Sequence, residues 1–171
     1  MFPLESERLV MRQLKETDID WVHQLNSDPE VMRYIWACHG KARSKEEEME
    51  RLQRTIQYYD DHKGLGVFAI SNQSNDAPLG WAALKHLDRS NLIEVGYRFF
   101  KNHWGRGYAT ECTNRLIRHG FETMGLNKIV AVTHPDNEAS KHVLRKAGLI
   151  YKGEAHYYQT NCHFFEKVAD Q

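Results

Sequence analysis

No stretch of this chain is apolar for long enough to cross a bilayer, so no membrane-spanning helix is expected. Neither sign of charge is in excess: 23 Lys plus Arg balance 23 Asp plus Glu. That balance argues against a general role on nucleic acid or on a membrane surface. Cysteine is sparse and odd in number. Cys38, Cys112 and Cys162 lie far apart, which points to free thiols and a reducing, cytoplasmic setting. The opening residues MFPLESERLVMRQ are charged early and lack the apolar core of a signal peptide. Low-complexity tracts, internal repeats and a domain linker are missing too. So is metal-ligand spacing: His119, His134, His142, His156 and His163 form no close pairs, and Cys162 and His163 are neighbours, so no metal is expected. The length, 171 residues, suits one domain spanning 1–171 with a sizeable core.

What is present is a succession of strand and helix patterns. Residues 8–14, RLVMRQL, alternate as a strand. Thr17-Asp18 offers an N-cap for IDWVHQLN, and Pro29 suits the first position of a further helical turn in PEVMRYI. Ser44 with Glu47 is a capping-box pattern opening KEEEMERLQRTIQYYDDH, with Glu46, Glu47 and Glu48 as a solvated helix start. Residues 64–70, then GWAALKHL and LIEVGYRF, form an antiparallel meander by their polar turns. KIVAVTH is an interior strand. Asn137 caps NEASKHVLRKAGL, with Gly148 as its C-cap, and IYKGEAHYY and CHFFEKVA close the chain as strands. Tyr157 and Tyr158 read as strand aromatics, with the lining of a substrate mouth as the alternative. The class is mixed α/β, with one strand–helix–strand crossover implying a parallel pair.

The stretch that organises the rest is FFKNHWGRGYA, residues 99–109, with the helical run after it. A strand ends at Phe99, and Gly105 and Gly107 follow. From Ala109 the apolar residues Cys112, Leu116, Ile117, Gly120, Phe121 and Met124 recur at helical steps. A glycine turn feeding a helix N-terminus presents main-chain N–H groups to an anion, most often phosphate. The dinucleotide fingerprint would need a glycine where Thr110 stands, and no Gly-Lys-Ser/Thr tripeptide exists for an ATP-type loop. A tight turn without a ligand is the alternative at this point.

WGRGYATE, followed by NEASKHVLRKAGL, resembles the GNAT superfamily of acetyl-CoA-dependent N-acetyltransferases, and within it the RimJ/RimL-like branch, named for enzymes acting on ribosomal-protein N-termini. The resemblance covers nearly the full length. It implies the GNAT fold: a central, mostly antiparallel mixed sheet of about seven strands flanked by about four helices. Trp104, Gly107 and Ala109 hold the defining places of the family's diphosphate motif, with Trp104 replacing the usual Gln or Arg. The implied acetyl-CoA contacts are Trp104, Gly105, Arg106, Gly107, Tyr108, Ala109 and Thr110 around the diphosphate, the backbone of Tyr97, Arg98 and Phe99 along the pantetheine arm, and Asn137 near its amides. A bulge at Gly96 is implied to splay that strand from its neighbour. Ser140 is the implied proton donor to the departing sulfur. Many members carry a tyrosine near the places of Val143 or Leu144, and this chain has none there. Trp36 and His39 lie where the family's substrate groove would form. A homodimer is left open.

Transfer requires an unprotonated amine. At pH 7 deprotonation costs roughly 1.4 kcal/mol for an α-amine and roughly 4.6 kcal/mol for a lysine. Glu94, flanked by Ile93 and Val95, is the candidate general base; an edge-facing glutamate paired with a surface cation is the alternative. The expected acceptor is a protein N-terminal α-amine. A small amine (amino acid, antibiotic or polyamine) is the runner-up. A non-catalytic acyl-CoA-binding module and a nucleotide-binding protein are the readings from other classes.

Overall fold

The computed structural model describes residues 3–35 and 42–169. The chain begins with β1 (Leu4–Glu5) and β2 (Leu9–Gln13), and a 3-10 turn at Glu16–Asp18 leads into α1 (Ile19–Ser27), α2 (Pro29–Met32) and α3 (Lys45–Asp61). The meander is β3 (Gly66–Asn72), β4 (Asn75–His86) and β5 (Ile93–Phe99). Then come α4 (Tyr108–Arg118), β6 (Lys128–Thr133), α5 (Glu138–Lys146), β7 (Ile150–Tyr157) and β8 (Thr160–Val168). They form one eight-stranded sheet in the order β1-β2-β3-β4-β5-β6-β8-β7. Among the described residues only β5 and β6 pair in parallel, where α4 makes the crossover.

This is the GNAT fold the resemblance implied, with one strand and one helix more than expected. The extra strand is β1, which pairs Leu4 with Met11 and is too short to show a period. The helical turn expected from Pro29 forms as a separate helix, α2, because Asp28 caps it by accepting from the Glu30 and Val31 N–H groups. The Ser44–Glu47 capping box forms as expected. Asp18 does not cap α1 with its side chain; its carboxylate instead takes Arg12, the Trp21 indole and the Lys15 N–H. Glu48 is not solvated but buried, accepting from Asn26 Nδ2 of α1 at 2.8 Å. The start of β4 lies in the stretch SNQSNDAPLG, whose Asn, Ser, Asp and Pro residues make it an expected polar turn. That half of the strand extends beyond β5 and pairs only with β3, where a missing N–H is tolerated.

Strand alternation gives the sheet two unlike faces. Phe68, Ile70, Ala82, Leu84, Ile93, Val95 and Phe99 pack in the larger core with Cys112, Leu116 and Ile117 of α4 and Leu144 of α5. Ala69 and Val67 pack on the opposite face with Ile19 and Val22 of α1 and Leu52 of α3. Because Lys85 pairs with Glu94, Ala83 with Gly96 and Trp81 with Arg98, these six belong to the α1/α3 face. Tyr97 belongs to the α4/α5 face. The centre of β5 therefore carries polar groups to both sides of the sheet.

Candidate active site

β5 is paired along its whole length on one edge and hardly at all on the other. β4 pairs it from Ile93 to Phe99, whereas β6 meets it only at Glu94↔Val130. The Phe100 N–H donates to Leu79 O at 3.0 Å, which sets the alternation of the β4–β5 ladder. Main-chain groups of Glu94, Gly96 and Arg98 then face β4, and those of Tyr97 and Phe99 face the edge that β6 has left. The register against β4 runs through Gly96 without a shift, so no bulge is found there; the splay from β6 is. A Cβ at Gly96 would meet nothing within 4 Å. The strand thus has open space next to Glu94.

Past Phe99 the chain makes a 3-10 turn at Lys101–His103 and then the glycine turn. Gly105 and Gly107 sit at φ +72 and +80, a left-handed conformation that side-chain-bearing residues rarely adopt. Gly107 is the N-cap of α4, and no side chain caps the helix. The N–H groups of Tyr108, Ala109 and Thr110 therefore lack partners within the helix. The turn from Trp104 to Gly107 is exposed. Trp104 lays its indole back, donating Nε1–H to Phe99 O at 2.8 Å, so the residue that replaces the motif's Gln or Arg ties the turn to β5. Arg8 ties it from the other side: its Nη1 donates to Arg106 O at 3.0 Å, and its Nε pairs with Glu111 at 2.7 Å. Its guanidinium stacks over Tyr108 at 4.7 Å. Uncapped amides, the positive end of the helix and nearby arginine make a donor set that fits a diphosphate.

On the α1/α3 face, Glu94 is buried but not apolar in its surroundings. Its Oε1 accepts from Lys85 Nζ at 2.5 Å and from the Tyr158 hydroxyl, and Lys85 Nζ also reaches the Tyr158 oxygen at 2.9 Å. The Glu94 side chain is 9% exposed and that of Lys85 31%. Both sequence alternatives are thus partly met: the glutamate is interior, and it is paired with a cation. Tyr158 is no strand aromatic. It and Gln159 form the turn between β7 and β8, both at positive φ (52 and 62). Glycine or asparagine usually fills such a turn. Here the Tyr158 N–H is held by Asp88 Oδ2 at 2.9 Å and its hydroxyl by Glu94. Burial first, then the neighbouring Glu94 charge, push the Tyr158 phenol well up, so it remains a proton donor.

On the other face, Asn137 caps α5 by accepting from the Ser140 N–H at 3.1 Å. Ser140 Oγ accepts from the Tyr97 hydroxyl at 3.2 Å. Burial pushes the Tyr97 phenol up, although its bond to Ser140 pulls the other way. Sequence reasoning placed Tyr97 here only through its backbone; its side chain supplies a phenol beside Ser140. Arg98 sends its guanidinium away from the glycine turn, onto Asn26 of α1 and over the Trp81 ring at 4.8 Å. Its main-chain groups face β4 as well, so the edge left open beside β6 presents those of Tyr97 and Phe99 and not those of Arg98. Trp36 and His39 lie outside the described residues. Among the described residues, no helix is long and apolar enough to cross a membrane, and no group of three or more His, Cys, Asp or Glu side chains is placed to hold a metal ion.

Known proteins share this arrangement. A family profile described as an acetyltransferase (GNAT) domain matches residues 8–150. The uncharacterized N-acetyltransferase YoaA of Bacillus subtilis is 31% identical over 161 residues, which cover 92% of this chain and 89% of that protein. A solved acetyltransferase from Agrobacterium tumefaciens superposes with a TM-score of 0.85 at 21% identity, covering 99% of this chain and 95% of the other. RimL, a ribosomal L7/L12 alpha-N-protein acetyltransferase solved in complex with coenzyme A, superposes with a TM-score of 0.78 at 19% identity over 95% of each chain. Together with the sequence matches, which carry the assignment, these place the chain in the GNAT acetyltransferase family.

Proposed function

We propose that this acetyltransferase transfers the acetyl group of acetyl-CoA to a protein N-terminal α-amine by direct attack, with both substrates bound together. The observation that carries the reading is the open edge of β5, with a polar group on each face and the uncapped turn at its end. When bound, acetyl-CoA supplies an electrophilic thioester carbonyl and a thiolate leaving group. The residues from Trp104 to Thr110 would hold its diphosphate, and the edge groups of Tyr97 and Phe99 its arm. The Phe99 oxygen is already taken by Trp104, which leaves its N–H and both groups of Tyr97 for that purpose.

Glu94 would receive the proton of the acceptor ammonium. Lys85 and Tyr158 both occupy Oε1, so they fix the carboxylate and leave Oε2 to accept. Ser140 would return a proton to the leaving sulfur. Its oxygen accepts from Tyr97, so its own hydrogen is left to donate. The modest deprotonation cost of an α-amine, roughly 1.4 kcal/mol at pH 7, suits a single carboxylate base. The α-N-terminal activity named for the coenzyme-A-bound structure supports the same acceptor.

Thiol release from acetyl-CoA in the presence of short peptides tests this. A peptide with a free N-terminus and no lysine should release thiol, its N-terminally blocked twin should not, and initial-rate plots should intersect. Parallel plots would remove direct transfer. Turnover of lysine side chains but not of N-termini would remove the α-amine.

A further inference from the structure

Among the described residues, Gly96 is the one glycine for which the fold has no use. Each of the others has a positive φ or a neighbour that leaves no room for a side chain. A Cβ on Gly80 would lie 2.1 Å from the Arg98 oxygen, and one on Gly120 would lie 2.6 Å from Ile129 Cδ1. Gly96 has neither constraint. Its φ is not positive, its register against β4 is unbroken, and a Cβ there would meet nothing within 4 Å among the described residues. A glycine inside a strand forgoes packing and costs chain entropy. The gap lies on the α1/α3 face between Glu94 and Arg98, which are about 13 Å apart along the strand. Across β4 its neighbour Ala83 is already covered, at 1% exposed, so the open space begins at Gly96 and runs towards the edge that β6 has left.

We infer that Gly96 sets which N-terminal residue the enzyme accepts: the first side chain of the acceptor lies in the space above it. The inference rests on the α-amine reading and names the specificity determinant of that same site. In an N-terminal residue the side chain starts within about 2.5 Å of the attacking nitrogen, because both are bonded to one α-carbon. With the amine at Glu94, that side chain reaches the next position on the same face, about 7 Å along the strand, which is Gly96. Arg98 closes the far end. Its guanidinium lies over the Trp81 ring at 4.8 Å and donates to Asn26 Oδ1, and Asn26 Nδ2 is held by the buried Glu48 at 2.8 Å. That wall is tied to α1 and α3, so the room left for the acceptor is set by position 96. An unbranched methylene chain, as in lysine or a polyamine, has no branch to place there. The favoured acceptor begins with a residue that carries a side chain, not with glycine.

The test measures thiol release with the peptides Val-Ala-Ser-Ala and Gly-Ala-Ser-Ala, using wild type, Gly96→Ala and Gly96→Val. Wild type should favour the valine peptide. In Gly96→Val the ratio of kcat/KM for the valine peptide to that for the glycine peptide should fall at least about tenfold, the lower end of the effect of one methyl group in a pocket. The fall should come through KM for the peptide, with KM for acetyl-CoA unmoved, and Gly96→Ala should lie between. Folding is checked by melting temperature, which should not drop: the φ suits any residue, and β-branched side chains favour strands. An unchanged ratio, or a wild type that prefers the glycine peptide, would overturn the inference and leave the acetyltransferase reading intact. Equal loss with both peptides and a raised KM for acetyl-CoA would overturn it too, by giving the space to the coenzyme's acyl end. No thiol release from wild type with either peptide would instead strike the α-amine reading, and the inference would fall with it.

Discussion

Replacing Glu94 by glutamine separates its proposed role as base from its role in the fold. The change keeps the shape and keeps an oxygen that can accept from Tyr158, but removes the charge facing Lys85. Breaking a fully buried ion pair costs about 3–5 kcal/mol. Here Lys85 is 31% exposed and can rehydrate, so a cost of about 1–2 kcal/mol is expected, within the roughly 5–15 kcal/mol stability of a typical domain. The variant should stay folded at 25 °C, with unchanged circular dichroism and a melting point lowered by several degrees. Loss of a general base removes about 10²–10⁴ in rate, or about 2.7–5.5 kcal/mol of transition-state stabilisation. The assay is kcat/KM for a peptide acceptor between pH 7 and 9.5. At pH 7 only about one α-amine in ten is neutral, and near pH 9 most are. The deficit of the variant should therefore shrink by about tenfold as the pH rises through 8, a recovery that a merely structural role would not give. A folded Glu94→Gln enzyme within twofold of wild type at pH 7 would refute the base assignment.

Other substitutions probe the neighbours. Tyr158→Phe keeps the ring in its turn and removes the hydroxyl shared by Glu94 and Lys85, so kcat/KM should fall about tenfold with little change in melting temperature; wild-type kinetics would show that Tyr158 only packs. Ser140→Ala should lower kcat by about 10–100-fold while KM for acetyl-CoA stays put, since the Asn137 cap uses the Ser140 main chain and survives. An unchanged kcat would move the thiolate's proton source elsewhere, with Tyr97 the next group to replace. Asp18 gives a pH test of the fold. Burial raises its pKa, but hydrogen bonds from Arg12, Trp21 and the Lys15 N–H hold it below the usual carboxylate value. Its contribution is therefore complete above about pH 4 and is lost as the pH falls through its lowered folded value. Chemical denaturation should find Asp18→Asn about 1–3 kcal/mol less stable than wild type at pH 6, with the gap closing towards pH 2. A gap that widens in acid would contradict that linkage.

Local chemistry made much of the molecule legible before any coordinates. The Ser44–Glu47 box, the Asn137 cap and the left-handed glycines before α4 each act within a few residues, and each formed where the sequence placed it. The parallel pair followed from the helix between β5 and β6. What stayed hidden depends on register and on long-range partners. Lys85 stands opposite Glu94 only because β4 and β5 align across a longer turn, closed by Leu87 N–H to Leu92 O, whose length does not fix pairing as a two-residue hairpin does. Tyr158 was masked by its turn, which lacks the Asn-Gly that would have announced it. Glu48 looked solvated among acidic neighbours until α1 brought Asn26 to it.

The central claim is that the main-chain amides after Trp104 grip the coenzyme's diphosphate at the open end of β5. Titrating acetyl-CoA into the ¹⁵N-labelled protein and following each amide resonance tests it directly. The largest shifts should fall on Gly105, Gly107, Tyr108, Ala109 and Thr110, with a second group at Tyr97 and Phe99. Saturation at millimolar cofactor with those amides unmoved, or with the shifts gathered elsewhere on the sheet, would contradict it.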